Sequence, residues 1–470
     1  MQRDLRRLDL RSVLFGDRAF YRMVLAVLIP IIVQNAITNF VNLLDNIMVG
    51  QVGTEQMSGV AIANQLMFVF NLCIFGGLAG AGIFSAQFSG AGNRKGVQNC
   101  FRFKLYLCAA LLIGATGVFL LGGEALVSRF LHDENATGRI EATLGYGMQY
   151  LHIMLWALIP FSLTQAYAST LRECGETRLP MLAGIAAMLV NLFFNYLLIF
   201  GHAGLPRMGV AGAAVATVIS RYVELFIVAF FTHRNPDRYD FVPGLYGTLR
   251  IPARLVRDIM VRGLPLLVNE AVWSVGMTKL NQCYSVRGLD VVAAMNISST
   301  VSNLFSVTVF SMGVATSVIL GQTLGANDLE GARRQAWRLA VFGLMITLGT
   351  ELVMLPTAPL IPAIYRTSAE VRALATRFLT IFALCMPLFS YSNSSYFILR
   401  SGGKTMITFL FDGVFTWVVC VPIAWCLVHL THVHVTVIYL CVLLADIIKC
   451  ALGHVLISRG VWLNNIVAGK

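Results

Sequence analysis

Apolar runs long enough to cross a bilayer follow one another through the whole chain, with only short polar breaks between them. They lie near residues 20–48, 57–83, 98–121, 140–168, 179–201, 209–232, 263–286, 290–320, 335–361, 371–398, 405–430 and 434–458, twelve in all. With 57% hydrophobic and 12% charged residues and a mean hydropathy of +0.73, a 470-residue chain has too little polar surface to cover a soluble globule. Hydrocarbon offers no partner to a free N–H or C=O, so spans of this length are read as helices. The fold class is all-α, an integral membrane protein of twelve transmembrane helices.

The chain also repeats itself. Pro30, Val33, Asn46, Gly53, Phe75, Gln87, Gly90, Ala91 and Gly96 return without a gap, 235 positions later, as Pro265, Val268, Asn281, Gly288, Phe310, Gln322, Gly325, Ala326 and Gly331. Further on, Leu171, Arg172, Gly175 and Thr177 return as Leu399, Arg400, Gly403 and Thr405 at an offset of 228. The reading is two pseudo-symmetric six-helix bundles fused head to tail, an arrangement common in secondary transporters, whose sites lie between or inside the halves. It divides the chain into a cytoplasmic N-terminal segment (1–19), a first lobe (20–232), a basic cytoplasmic connection (233–262), a second lobe (263–458) and a cytoplasmic tail (459–470).

A formal net charge of +12 would suit a nucleic-acid binder, but its distribution points elsewhere. With both termini cytoplasmic, 26 Lys and Arg fall on the inner face and 7 on the outer, leaving Arg221 and Lys279 inside spans. That is the positive-inside bias of a multi-pass membrane protein, and it excludes nucleic acid as the reason for the charge. The ten cysteines sit mostly within apolar runs and form no Cys-x-x-Cys pair, so neither a disulfide framework nor a zinc site is expected. Residues 1–19 are charged and lack the apolar core of a secretory signal. His429, His432 and His434 cluster in an outer loop without an accompanying carboxylate or Cys and read as wet surface.

Polar residues inside the spans carry the functional reading. On the first span Asn35, Thr38, Asn39, Asn42, Asp45 and Asn46 recur at helical spacing, so one side of it cannot face lipid. Asp45 is either a functional carboxylate or a group solvated near the outer end. Asn64 and Asn71 follow on the second span. On the fifth, Asn191 and Asn195 share a face and serve either to hydrogen-bond Asp45 or a substrate, or to hold helices together. The sixth runs through small residues from Gly209 to Thr217 and then carries Arg221 and Glu224, a self-neutralising pair read as structural. On the seventh, Glu270 stands a turn or two inside the membrane, where it could bind and release a proton. Its repeat partner is Asn35, whereas Asp45 maps onto Leu280, so the halves differ electrostatically. Lys279 is placed to snorkel outward. Asp412 is expected to pair with a loop Arg or Lys, and Asp446 with Lys449. The Gly402-Gly403-Lys404-Thr405 run is not a P-loop, because Ile398 stands where one needs glycine.

These residues resemble the multidrug and toxic compound extrusion (MATE) family from end to end. The carriers are Asp45 in Val-Asn-Leu-Leu-Asp-Asn-Ile-Met-Val-Gly, the loop from Ala86 to Gly92, Asn191-Leu-Phe-Phe-Asn195, Gly209 through Thr217, and Gly263-Leu-Pro with Glu270. The resemblance implies a V-shaped pair of bundles that exports organic cations or amphiphilic drugs in exchange for protons or sodium ions. It implies Asp45, Asn191, Asn195 and Thr217 as the cation and proton site of the first bundle, with Na⁺ able to use Asp45, Asn191 and Asn195, and Glu270 as the acid of the second. Asn35, Asn39, Asn42 and Asn64, with Trp273, Met277, Asn296, Phe305 and Asn393, would line the substrate cavity. Glu270 stands about one turn closer to the proline than the acid of some members. The tenth-span carboxylate of the sodium-coupled subset has no counterpart among residues 387–400, which argues against sodium coupling through the second bundle.

The expected protein is therefore an inner-membrane antiporter, monomeric, without cofactor or structural metal, its partners being the bilayer and small cationic or amphiphilic substrates. The rivals are a flippase for a lipid-linked precursor, which would want a strongly cationic cavity, and a receptor or channel that binds without coupled transport. An enzyme is not expected, since no His-Glu-x-x-His or Gly-x-Ser-x-Gly occurs.

Overall fold

The computed structural model describes residues 14–128, 137–202, 204–365 and 367–469, and among them every regular element is helical. The long helices are α1 (Arg18–Gly50), α2 (Thr54–Gly90), α3 (Arg94–Ser128), α4 (Thr137–Glu173), α5 (Arg178–Phe200), α6 (Val210–Arg234), α7 (Ala253–Ser285), α8 (Leu289–Gly325), α9 (Leu329–Thr357), α10 (Ala369–Ser401), α11 (Thr405–Leu430) and α12 (Val435–Ser458). Eleven of these twelve contain a stretch long and apolar enough to cross a membrane. The exception is α7, which carries Arg254, Arg257, Asp258 and Arg262 near its start and Asn269, Glu270 and Lys279 further along.

Several helices outrun their apolar stretches. The sequence predicts apolar spans of 57–83 for α2 and 263–286 for α7, yet α2 extends to Gly90 and α7 begins at Ala253, inside the basic connection. Hydropathy registers only the part that meets lipid, while i→i−4 hydrogen bonding carries a helix on into water. All ten cysteines are free.

The chain forms two compact units. One comprises Val33–Ser85 and Asn93–Ile259; the other comprises Ala86–Gly92, Met260–Lys470 and Met1–Ile32, so far as these are described. In the first unit α6 packs against α4 and α5, and α3 against α4. Lys104 of α3 is fully buried there, 2.6 Å from Glu173 Oε2 of α4 and donating also to Ser169 and Thr170. A buried ion pair of this kind holds only because the remaining ammonium protons also find acceptors. Arg102 and Gln98 of α3 donate to the carbonyls of Leu245, Gly244 and Pro243, which pins the segment after α6 to the bundle.

In the second unit α8 and α10 form the central packing, with α9 and α12 against α10. Phe20, Val24, Leu28 and Ile31 from the start of α1 join Leu320, Leu339, Ile398 and Trp462 in one apolar cluster. Two five-residue stretches of α11, Leu410–Val414 and Thr416–Cys420, are π-helical. Such widened turns are often found at functional sites.

The repeated sequence signatures now have local causes. Gly175 and Gly403 both have left-handed backbone, with φ of 86° and 73°. Each closes a helix: Glu176 N donates to Leu171 O at 2.8 Å, and Lys404 N to Leu399 O at 3.3 Å. The Leu-Arg-x-x-Gly-x-Thr pattern is therefore a helix stop, in which glycine avoids the steric cost of that φ. Likewise Asn93 caps Gly96 N at 2.9 Å and Asp328 caps Gly331 N at 2.8 Å.

Gln87 ties down the end of the described chain. Its amide donates to Ser401 O at 2.9 Å and to Asn464 O at 3.2 Å, and its oxygen accepts from Ile466 N at 2.8 Å, all in a fully buried position. Gln87→Leu leaves three backbone groups without this partner, each orphan costing about 1–3 kcal/mol where it stays dry. The expected outcome is release of the 461–469 segment, measured as faster proteolytic trimming of the C terminus while the helical core survives.

Candidate functional site

Helix α1 brings Asp45 to a cavity of about 290 Å³ inside the first unit. From there a line of polar side chains runs inward. Asn195 Nδ2 of α5 donates to Asp45 Oδ1 at 2.5 Å and to Asn191 Oδ1 at 3.0 Å. Asn191 Nδ2 in turn donates to Thr217 Oγ1 of α6 at 3.3 Å, and that hydroxyl donates to Ala213 O at 3.0 Å. Asn191 and Asn195 are one helical turn apart, which puts both amides on the same face of α5. Small residues Ala211, Ala213 and Ala214 on α6 let that face approach closely.

One atom in this line has no donor. Asn195 is fully buried, and its Oδ1 makes no hydrogen bond. The two bonds made by Nδ2 fix the amide's orientation, so the bare oxygen points to a missing partner. A carboxylate at the cavity and a buried amide oxygen on the residue bonded to it form a donor set suited to a small cation or a protonated group.

The same cavity contains charge that the sequence reading treats as structural. Arg221 and Glu224 both line it, paired at 2.9 Å, with the guanidinium 5.5 Å above the Phe161 ring. Arg172 adds a hydrogen bond to Gln34 Oε1 at 3.0 Å. Tyr150 also lines the cavity. The Arg221–Glu224 pair is present as expected from its i, i+3 spacing; that it faces the Asp45 cavity is legible only in three dimensions.

The polar stripe of α1 splits. Gln34, Thr38, Val41 and Asp45 line the cavity, and at about 100° per residue they fall within roughly 60° of one another around the axis. Asn35 and Asn39 do not line it, being turned roughly 80–120° from Asp45. Asn42 has a side chain outside the described residues. Asn64 and Asn71 of α2 do line the cavity.

In the second unit Glu270 is half-buried on α7 and stands in the field of Arg400 and Asp412. Its neighbour Asn269, 1% exposed, bridges to α11: Nδ2 donates to Asp412 Oδ2 at 3.3 Å and Oδ1 accepts from Gly413 N at 2.9 Å. Asp412 does not pair with a loop residue, as its sequence position suggests. Its Oδ1 lies 3.1 Å from Lys449 Nζ, and Asp446 Oδ1 lies 3.7 Å from the same ammonium. Asp412 stands in a π-helical turn, and that turn together with the fold of α12 takes it into the bundle rather than toward a loop.

Other expected cavity residues have different surroundings. Trp273 is half-buried and Met277 exposed on α7, and Asn296 is exposed on α8. Asn393 Nδ2 instead ties α10 to Val309 O of α8 at 3.1 Å, and Phe305 packs beside the Leu379–Met386 core. Lys279 donates to Gln282 at 2.9 Å from an exposed position. Among the described residues no group of three metal-ligating side chains occurs; His434 caps Thr436 N and His429 stacks on Trp425. Glu351 has one carboxylate oxygen buried without a hydrogen bond.

Comparison with known proteins matches this architecture. The MatE family model fits residues 30–197 and again 265–426, starting both times at a proline of the repeat. The chain is 27% identical over 413 residues to probable multidrug resistance protein NorM of Thermotoga maritima, covering 85% of this chain and 84% of that one. It is 25% identical over 403 residues to multidrug resistance protein MdtK of Proteus mirabilis, with 85% and 86% covered. Among solved structures, the crystal structure of MATE in the bent conformation superposes with a TM-score of 0.83 at 20% identity, covering 96% of this chain and 97% of the other. The outward-facing conformation of a multidrug resistance MATE family transporter gives 0.82 at 20% identity, with 96% and 98% covered. These two likenesses carry the fold. With both halves matched in turn by the family model, the chain belongs to the multidrug and toxic compound extrusion (MATE) family.

Proposed function

We propose that this multi-pass membrane protein is a secondary antiporter that extrudes organic cations or amphiphilic drugs in exchange for protons or sodium ions, with Asp45 as the ion-binding carboxylate. The observation that carries the reading is the Asp45–Asn195–Asn191–Thr217 line and the bare Asn195 Oδ1 beside it. A carboxylate held by a neutral amide keeps its charge unpaired, so binding a proton or cation there is favoured until a competing cationic substrate arrives. Exchange follows if ion and substrate favour different conformations, because each then shifts the population that the other meets. Relatives named multidrug resistance proteins support the substrate class. Glu270, on the other half, attracts the cationic substrate or takes a second proton. The excess of inner-face Lys and Arg supports an inner-membrane protein with both termini cytoplasmic.

The test is uptake of a cationic dye into proteoliposomes under an imposed pH gradient or an imposed sodium gradient, applied separately. Accumulation driven by one gradient and dissipated by the matching ionophore is the expected result. Dye that equilibrates identically with and without either gradient would overturn the antiport reading.

A further inference from the structure

The two halves treat their acids differently. In the first, the basic side chain in the cavity, Arg221, is matched one to one by Glu224 at 2.9 Å, and Asp45 is left with an amide partner. In the second, one ammonium stands between two carboxylates from different helices. Lys449 Nζ is 3.1 Å from Asp412 Oδ1 of α11 and 3.7 Å from Asp446 Oδ1 on its own helix. The lysine side chain is only 11% exposed, and the ammonium also lies 5.1 Å over the Phe415 ring.

This arrangement has the form of a monovalent cation site already filled. Asp412 is held from both sides: Asn269 donates to its second oxygen, and Thr416 Oγ1 donates to its backbone oxygen at 2.9 Å. It stands on a π-helical turn, a local departure that regular α-helical packing would not need. Charge from two further helices acts here: Glu270 of α7, itself in the field of Arg400 of α10, and Asp446 and Lys449 of α12. A lysine ammonium is a compact point charge of +1, close in kind to a hydrated alkali ion but tethered to the chain. Removing it would strand two carboxylates in a poorly solvated place, a state that recruits any available small cation.

We infer that Lys449 is a built-in counter-cation that occupies the Asp412–Asp446 pocket and keeps alkali cations out of the second half, so that the exchangeable coupling ion is confined to Asp45. This rests on the antiport reading for the word "coupling", but the occupancy itself is a binding question that needs no transport. Lys449 is thus a specificity-determining residue, one that excludes a second ion rather than binding substrate.

The experiment measures the unfolding midpoint of the purified full-length protein in detergent, in sodium chloride and in choline chloride at equal ionic strength. Lys449→Met is expected to gain a sodium-dependent rise of at least about 2 °C over the wild-type response. The gain should persist when Asp45→Asn is added and vanish when Asp412→Asn is added. Lys449→Arg, which keeps the charge, should show no gain. A folded Lys449→Met protein with no added sodium response, or a gain untouched by Asp412→Asn, overturns the inference. Single variants decide the matter should Lys449→Met not fold. Asp412→Asn must then leave the wild-type sodium response unchanged, and a response lost in Asp412→Asn but kept in Asp45→Asn overturns it. Absence of gradient-driven dye uptake would sink the antiport reading and leave these midpoints unaffected.

Discussion

Asp45→Asn is expected to reduce gradient-driven dye uptake to the level of protein-free liposomes, with the amount of folded protein unchanged. The substitution keeps size and hydrogen bonding to Asn195 but removes the only carboxylate in the Asp45–Asn195–Asn191–Thr217 line. Taking one charge out of a poorly solvated ion site costs roughly 3–5 kcal/mol. At about 1.4 kcal/mol per decade that is a loss of at least roughly a hundredfold in ion affinity, enough to uncouple the cycle at ordinary ion concentrations. Neighbouring substitutions should fall in a graded order. Asn195→Ala removes a bond to a charged group, worth about 1.5–3 kcal/mol, or roughly ten- to a hundredfold. Thr217→Ala removes a neutral bond at 3.3 Å and should cost less than tenfold. Transport assays on the three variants at several ion concentrations check the order. Uptake in Asp45→Asn equal to wild type, or Thr217→Ala worse than Asp45→Asn, would contradict the placement of the site.

The ranking depends on a cavity whose outline the sequence reveals only in part. Asp45, Asn191 and Asn195 announce themselves because a polar group in an apolar run is conspicuous, and the i, i+4 spacing of the two asparagines puts them on one face. Thr217 is singled out only through the family resemblance, since a hydroxyl that can bond its own helix backbone is unremarkable in a membrane span. The stripe on α1 is conspicuous too, but counting polar residues assigns it too wide an arc; the cavity takes Gln34 and Thr38 and leaves Asn35 and Asn39 aside. Gln34 precedes the asparagine-rich stretch, yet it stands eleven residues before Asp45 and so on the same side of the helix.

Charges that pair across helices are the least legible. Asp412 and Lys449 are 37 residues apart on different helices, and no periodicity links them. Reading each against its nearest sequence neighbour gives Asp446–Lys449, which is the longer contact at 3.7 Å, and misses Asp412–Lys449 at 3.1 Å. The π-helical turn that carries Asp412 has no composition cue either, since Leu-Phe-Asp-Gly-Val reads as ordinary helix. The repeat, by contrast, is legible wherever backbone geometry forces the residue. Gly175 and Gly403 recur because of a left-handed turn, and Asn93 and Asp328 because of a free N–H at a helix start.

The strongest of those backbone demands sets the second large effect. Near the ends of α2 and α8 the two helices cross so closely that a Cβ on Gly90 would land on the Gln322 carbonyl, and one on Gly325 would land on the Gln87 carbonyl. Gly90 and Gly325 are repeat partners, as are Gln87 and Gln322, so the contact is reciprocal. The obstacle is main chain, and no rotamer change can move it aside. Overpacking in a core costs about 1–3 kcal/mol and occasionally more. Gly90→Ala and Gly325→Ala should each lie at or above the upper figure, since relief requires whole helices to separate. The separation would also disturb Gln87, whose hydrogen bonds to Ser401, Asn464 and Ile466 lie just before the crossing. Gly114 and Gly117 on α3 supply the control, because a Cβ at either meets nothing within 4 Å. Alanine there should be neutral or gain the roughly 0.5–1 kcal/mol by which alanine exceeds glycine in a helix. The measurement is the monodisperse yield and unfolding midpoint of the four single variants in detergent. Crossing variants as stable as the Gly114 and Gly117 controls would mean that α2 and α8 do not meet in this way.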